Sequence, residues 1–143
     1  MLLVTLFVCA VFLLLSLLHV YWAFGGRWAA SAVLPEEEGA RAFTPSPAMT
    51  LGVAGLLLAA AAVMLLRGAL ASLVQDTMLW GLVTLGTWVL AGVFGVRAVG
   101  EFRQVGFFKR VRGTRFATWD TWLYSPLCAA LSAACAFLAN GSP

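Results

Sequence analysis

The sequence predicts an all-α fold: an integral membrane four-helix bundle forming one transmembrane domain over residues 1–143. Three observations predict it. First, 62% of the residues are hydrophobic and only 10% are charged, against about 45–50% and about 25% in a soluble domain. Mean hydropathy is +0.95, and a soluble fold of this length has no interior large enough to hide so much apolar surface. Second, four apolar windows approach the ~20 residues that a helix needs to cross about 30 Å of hydrocarbon. Third, the basic residues gather on alternate connections, as they do in membrane proteins that cross several times.

The elements follow in order. The first window covers 2–24. It lacks a basic leading segment, and its apolar run exceeds the ~7–15 residues of a signal-peptide core, so it reads as a retained helix. A polar loop over 25–47, "GGRWAASAVLPEEEGARAFTPSP", is punctuated by Gly25, Gly26, Pro35, Pro45 and Pro47. The second span covers 48–66. "RGALASLVQD" is a short turn that makes it an antiparallel hairpin with the third, over 77–98. The second long loop, over 99–121, is basic and aromatic. The fourth span, over 122–139, is the shortest and starts at the interface. The chain has no low-complexity tract and no evident internal repeat.

Eight of the nine lysines and arginines flank the two long loops: Arg27, Arg41, Arg97, Arg103, Lys109, Arg110, Arg112 and Arg115. Only Arg67 lies on the other side. In a bacterial inner membrane the positive-inside rule then puts both long loops in the cytoplasm and both termini outside.

Helices associate in lipid through close approach and a few polar contacts. The candidates are Gly52, Gly55 and Ala59 on the second span, Gly81, Gly86, Gly92 and Gly95 on the third, and Cys128/Ser132, Ala129/Ala133 and Ala130/Ala134 on the fourth. These serve packing within the bundle or the seam of a homo-oligomer. Trp22, Trp28, Trp80, Trp119, Trp122 and Tyr124 fall near span ends, as an aromatic belt does.

Chain direction brings the polar residues of three spans to one depth. His19 is the single histidine, and with Trp22 it closes the first span. Arg97 and Glu101 close the third, four residues apart and able to pair on one helical face, while Asp120 and Tyr124 open the fourth. Glu36, Glu37 and Glu38 lie on a loop at the same end and read as a solvated tract. An ionisable group inside a span normally faces the bundle interior or a water-filled cavity. His19 is therefore either a satisfied interhelical hydrogen-bonding residue or an acid/base, with Glu101 or Asp120 to orient it. In the second case Arg97 holds an anionic group, and Trp22, Trp119 and Tyr124 cover the apolar part of a ligand.

Lys109, Arg110, Arg112 and Arg115, with Phe107, Phe108 and Phe116, form an interfacial segment suited to anionic headgroups. It is too short, and too firmly pinned to the bilayer, to bind nucleic acid. No nucleotide, nucleophile or metalloprotease signature occurs. Cys9, Cys128 and Cys135 contain no CxxC pair, and one histidine does not complete a zinc set. No metal and no cofactor is expected. A haem between two histidines needs His19 from each of two chains.

Three blocks, "HVYWAFGGRW", "VRAVGEFRQVGFFKR" and "FATWDTWLYSPLC", resemble a family of small four-span bacterial membrane proteins known as a domain of unknown function. The resemblance covers most of the chain in the family's order. It implies the four-span fold and draws attention to His19, Trp22, Arg97, Asp120 and Tyr124, and it carries no mechanism.

Three readings of function follow. In the first, the inner-end pocket binds a small amphipathic or lipid-like molecule and performs acid/base chemistry on it. In the second, the chain is a non-catalytic assembly or accessory protein. In the third, it is a small oligomeric transporter or channel, for which the outer halves of the spans offer little polarity beyond Thr5, Thr84 and Thr87.

Overall fold

A computed structural model describes every residue except 34–35, 38–39, 42–44 and 142–143, and describes the backbone alone at 30–31, 36–37 and 40–41. Glu38, and the side chains of Glu36, Glu37 and Arg41, thus lie outside the described residues. In chain order the helices are α1 (Leu2–Ala23), α2 (Ala30–Val33), α3 (Pro47–Arg67), α4 (Ala71–Val74), α5 (Leu79–Val99), α6 (Arg115–Trp119) and α7 (Ser125–Asn140), with a π-helical turn at Asp120–Tyr124. Helix α6, the π-turn and α7 form one continuous rod, Arg115–Asn140, so four helices are long and apolar enough to cross a membrane.

The fourth rod starts seven residues before the apolar window at Trp122. Thr114 sets that start, because its hydroxyl accepts the Ala117 amide at 3.0 Å, and an N-cap overrides the polarity of the first turn. Helix α3 begins in the same way: Ser46 accepts the Met49 amide at 3.2 Å, and Pro47 occupies the first helical position. Within the first long loop, β1 (Glu36–Glu37) pairs antiparallel with β2 (Ala40–Arg41), Glu36 opposite Arg41. Glu and Ala are depleted in strands, so composition did not signal this ladder.

Helix α1 packs along α3 and α5 along α7; α3 meets α5 and α7 meets α1, closing a ring. Val8, Phe12, Met64, Leu131, Cys135 and Leu138 fill its centre, and the rings of Phe12 and Phe94 stack at 5.3 Å across it. Side-chain donors reach backbone where small residues let helices approach. Ser16 donates to the Ala54 carbonyl at 2.8 Å, Ser132 to that of Ala91 at 2.7 Å, and Cys9 to that of Ala61 at 3.4 Å. The glycines divide by position. A Cβ on Gly86 or Gly95 would press on Val63 or Ser132, whereas one on Gly52, Gly55, Gly81 or Gly92 would meet nothing. The first pair serves the bundle and the other four look outward.

Both ends of the described chain come together, with Gly141 against Met1 and Gly68 against Thr5. There Arg67, 3% exposed, donates through Nη2 to the carbonyls of Ala139 at 2.9 Å and Gly141 at 2.6 Å. Its guanidinium lies 4.3 Å from the centre of the Trp80 ring. A cation at a helix C-terminus opposes the partial negative charge of the unsatisfied carbonyls, so Arg67 ties the α3 end to the end of α7. Arg67→Ala should lower bundle stability by about 1–3 kcal/mol by leaving those carbonyls unpaired. Denaturant titration in mixed micelles checks the loss, and faster amide exchange over 137–140 should accompany it.

Candidate functional site

The polar groups at the long-loop end converge on Asp120, whose side chain is fully buried. Its Oδ1 accepts from Arg97 Nη2 at 2.8 Å. Its Oδ2 accepts from Lys109 Nζ at 3.0 Å, from the Gly106 amide at 2.8 Å and from Ser125 Oγ at 3.2 Å. The donors come from α5, from the 100–114 loop and from the rod that carries Asp120. A carboxylate offers about four lone-pair sites, two on each oxygen; here three donors crowd Oδ2 and one meets Oδ1. The arrangement holds charge, with a cation on each oxygen.

Each part of the cluster has a local cause. Pro126 has no N–H, and its ring cannot sit against the carbonyl four residues before it. The rod accommodates this by widening: the Ser125 amide donates five residues back, to the Asp120 carbonyl. Residues five apart on an α-helix point about 140° apart around the axis; the π-turn brings Ser125 and Asp120 onto one face. On the loop side, Gly100 and Gly106 have φ of +88° and +89°, and a Cβ on either would clash with the opposite backbone. Glycine alone permits this crossing. The Phe107 amide then donates to the Ala98 carbonyl at 2.9 Å, and the Lys109 ammonium to the Gly106 carbonyl at 3.1 Å.

Helix α5 stops at Val99 with Gly100 in the left-handed region. Glu101 is consequently not on the helical face of Arg97, and the pairing of those two residues expected from their spacing is not formed. Arg97 turns to Asp120, and Glu101, exposed, accepts the Gln104 amide at 3.0 Å. Lys109 is 4% exposed, an internal ion-pair partner where the sequence suggested a surface lysine, whereas Arg110, Arg112 and Arg115 are exposed.

The remaining candidates make separate contacts. His19 Nδ1 lies 2.7 Å from the Leu15 carbonyl; a carbonyl only accepts, so Nδ1 carries the proton and a neutral ring keeps its lone pair on Nε2. Its ring meets Trp22 edge-on at 5.1 Å. Trp22 donates to the Trp28 carbonyl at 2.8 Å, and Tyr124 to that of Ala32 at 3.2 Å, tying the first loop to the π-turn. Trp119 is 44% exposed. Arg97 and Asp120 are thus brought together, and the hydrogen bonds of His19, Trp22 and Tyr124 go to backbone carbonyls. Sequence reasoning missed Gly106 and Ser125. The Ser-Pro pair that begins five residues after Asp120 and the two glycines flanking "EFRQV" were the available signals.

Asp120→Asn removes the counter-charge from two cations and should cost about 3–5 kcal/mol. The 100–113 loop should become cleavable by trypsin at Lys109 in folded protein. Gly106→Ala should have the same signature through the backbone alone, its charges unchanged.

Comparison with protein families matches residues 12–135 to the family described as "Protein of unknown function (DUF3995)". Comparison with curated proteins and with solved structures gave no match. The matched segment takes in parts of all four long helices and the whole Asp120 cluster. On that extent of match, the chain, with its four long apolar helices, belongs to the DUF3995 family.

Proposed function

We propose that this protein binds an anionic, lipid-like amphipath at its long-loop end, with both long loops in the cytoplasm of a bacterial cell and both termini outside. The observation that carries the reading is the charge balance of the buried cluster. Two cations, Arg97 and Lys109, face one carboxylate, and Arg97 Nη1 is buried without a partner among the described residues. An uncompensated positive charge at a membrane boundary favours an anion. Phe107, Phe108, Trp119 and Trp122, on the same loop and rod as the cluster, are exposed and offer surface suited to acyl chains and glycerol. His19 adds a free acceptor nitrogen and the Trp22 edge at the same end of the bundle.

Binding is favoured over acid/base chemistry, because Asp120 is fully buried between two cations and Glu101 is exposed. A transport path is disfavoured by the apolar filling of the ring, where Thr87 spends its hydroxyl on the Val83 carbonyl. The accessory-protein reading retains one supporting feature. Ala48, Gly52, Gly55, Ala59 and Ala62 form an exposed stripe along α3, a shape that accepts another helix closely. Gly55→Leu would expose that role by removing a co-purifying protein while leaving bound lipid in place.

Native mass spectrometry of gently extracted protein should show anionic phospholipid retained over zwitterionic phospholipid, with the preference shrinking as salt rises. Equal retention of both classes at low salt overturns the reading. Alkaline phosphatase fused after the last residue should be active, and a fluorescent protein there dark; the opposite pattern reverses the sidedness.

A further inference from the structure

Beside the Asp120 cluster, the 109–113 segment and the start of the fourth rod border an open cleft of about 160 Å³, whose lining includes Lys109, Arg112, Gly113, Thr118, Thr121 and Trp122. We infer that this cleft is a site for one phosphate group, the headgroup phosphate of a membrane lipid, with Arg112 and Lys109 as its ligands. The inference rests on the reading above and gives it a location and a chemical class.

Size argues for a headgroup. Pockets that enclose a whole drug-sized ligand span about 300–1,000 Å³, so this cleft takes the polar end of an amphipath and leaves its chains outside. Charge argues for an anion. Among the described residues, no Asp or Glu lines the cleft. Lys109 spends two of its three donors on Asp120 and the Gly106 carbonyl, and the Arg112 guanidinium has no partner among the described residues. An arginine fork with a lysine point charge is a combination that recognises phosphate oxygens.

The side chains that are occupied elsewhere sharpen the assignment. Thr118 and Thr121 donate to the carbonyls of Thr114 and Ala117 at 3.2 and 3.0 Å. The cleft therefore offers cationic donors and few neutral ones, which selects charge over a sugar or amide. Trp122, 80% exposed, stands at the rim where the apolar part of the rod begins. That is the depth at which interfacial tryptophans meet the glycerol region of a bilayer. The cleft differs from the basic surface as a whole in being backed by the buried Asp120 cluster, which fixes Lys109 in place.

The test is dioleoylphosphatidylglycerol added to delipidated full-length protein in detergent, read by native mass spectrometry in volatile salt high enough to screen exposed charges. Arg112→Gln should weaken retention about tenfold or more, as loss of a charge-assisted hydrogen bond does. Thr121→Phe leaves every charge unchanged but fills the cleft, and it should weaken retention to a similar extent. Arg110→Gln, outside the cleft, should stay within about twofold under that screening. Unchanged helical circular dichroism in each variant guards against unfolding. Glycerol 3-phosphate distinguishes the source: displacement of the lipid at millimolar concentration assigns the site to a soluble phosphate ester, and no displacement assigns it to the membrane lipid. Equal losses in all three variants, or none in Arg112→Gln and Thr121→Phe, overturn the cleft. If wild type retains anionic lipid while those two variants match it, the cleft alone falls; if wild type shows no anionic preference, the broader reading falls with it.

Discussion

A carboxylate withdrawn completely from solvent at one end of a helical bundle has to be met by donors, and Asp120 imposes that condition on three parts of the chain at once. Arg97 must arrive at the end of α5, the 100–114 loop must fold back far enough to deliver an amide and an ammonium, and the fourth rod must turn its own Ser125 inward. Two of these three conformations are unfavourable alone. The loop crosses itself at two glycines in the left-handed region, and the rod gives up an α-turn at Pro126. A single shared acceptor makes them mutually dependent, which is how a buried polar network specifies one arrangement over others.

The two ends of the bundle solve related electrostatic problems by different means. At the long-loop end a side-chain anion collects cations. At the opposite end a cation, Arg67, collects backbone carbonyls and an aromatic face. Between them the ring is held by close packing and by single hydrogen bonds to alanine carbonyls. These suffice where lipid supplies no hydrophobic drive for helices to join. Chemical potential for recognition therefore resides at the ends, and the greater positive charge resides at the loop end.

Much of this was legible in the residues. Long apolar windows specify membrane helices because the bilayer leaves few alternatives, so the four rods, and the end where polar groups meet, followed from hydropathy and chain direction. Partner choice was less accessible. Arg97 and Glu101 satisfy a spacing rule that holds only while the helix continues, and Gly100 ends it first. Lys109 looked like one more basic residue in an interfacial stretch, since nothing local marks it for burial; its partner lies eleven residues away, across a turn that the two glycines create. Arg67 stood out as the lone basic residue on its side. Its role depends on carbonyls 72 and 74 residues later in the chain, a distance over which sequence pattern carries no information.

That separation bears on how the protein is made. Helix α3 enters the membrane with a cationic end whose acceptors have not yet been synthesised, so the hairpin it forms with α5 is an open structure until the last helix arrives. The first long loop waits in the same way, because Ala32 receives its hydrogen bond from Tyr124, 92 residues on. Ring closure therefore requires the fourth rod, which engages both ends of the bundle. A chain interrupted before that rod leaves the Arg67 guanidinium and the Ala32 carbonyl without these partners.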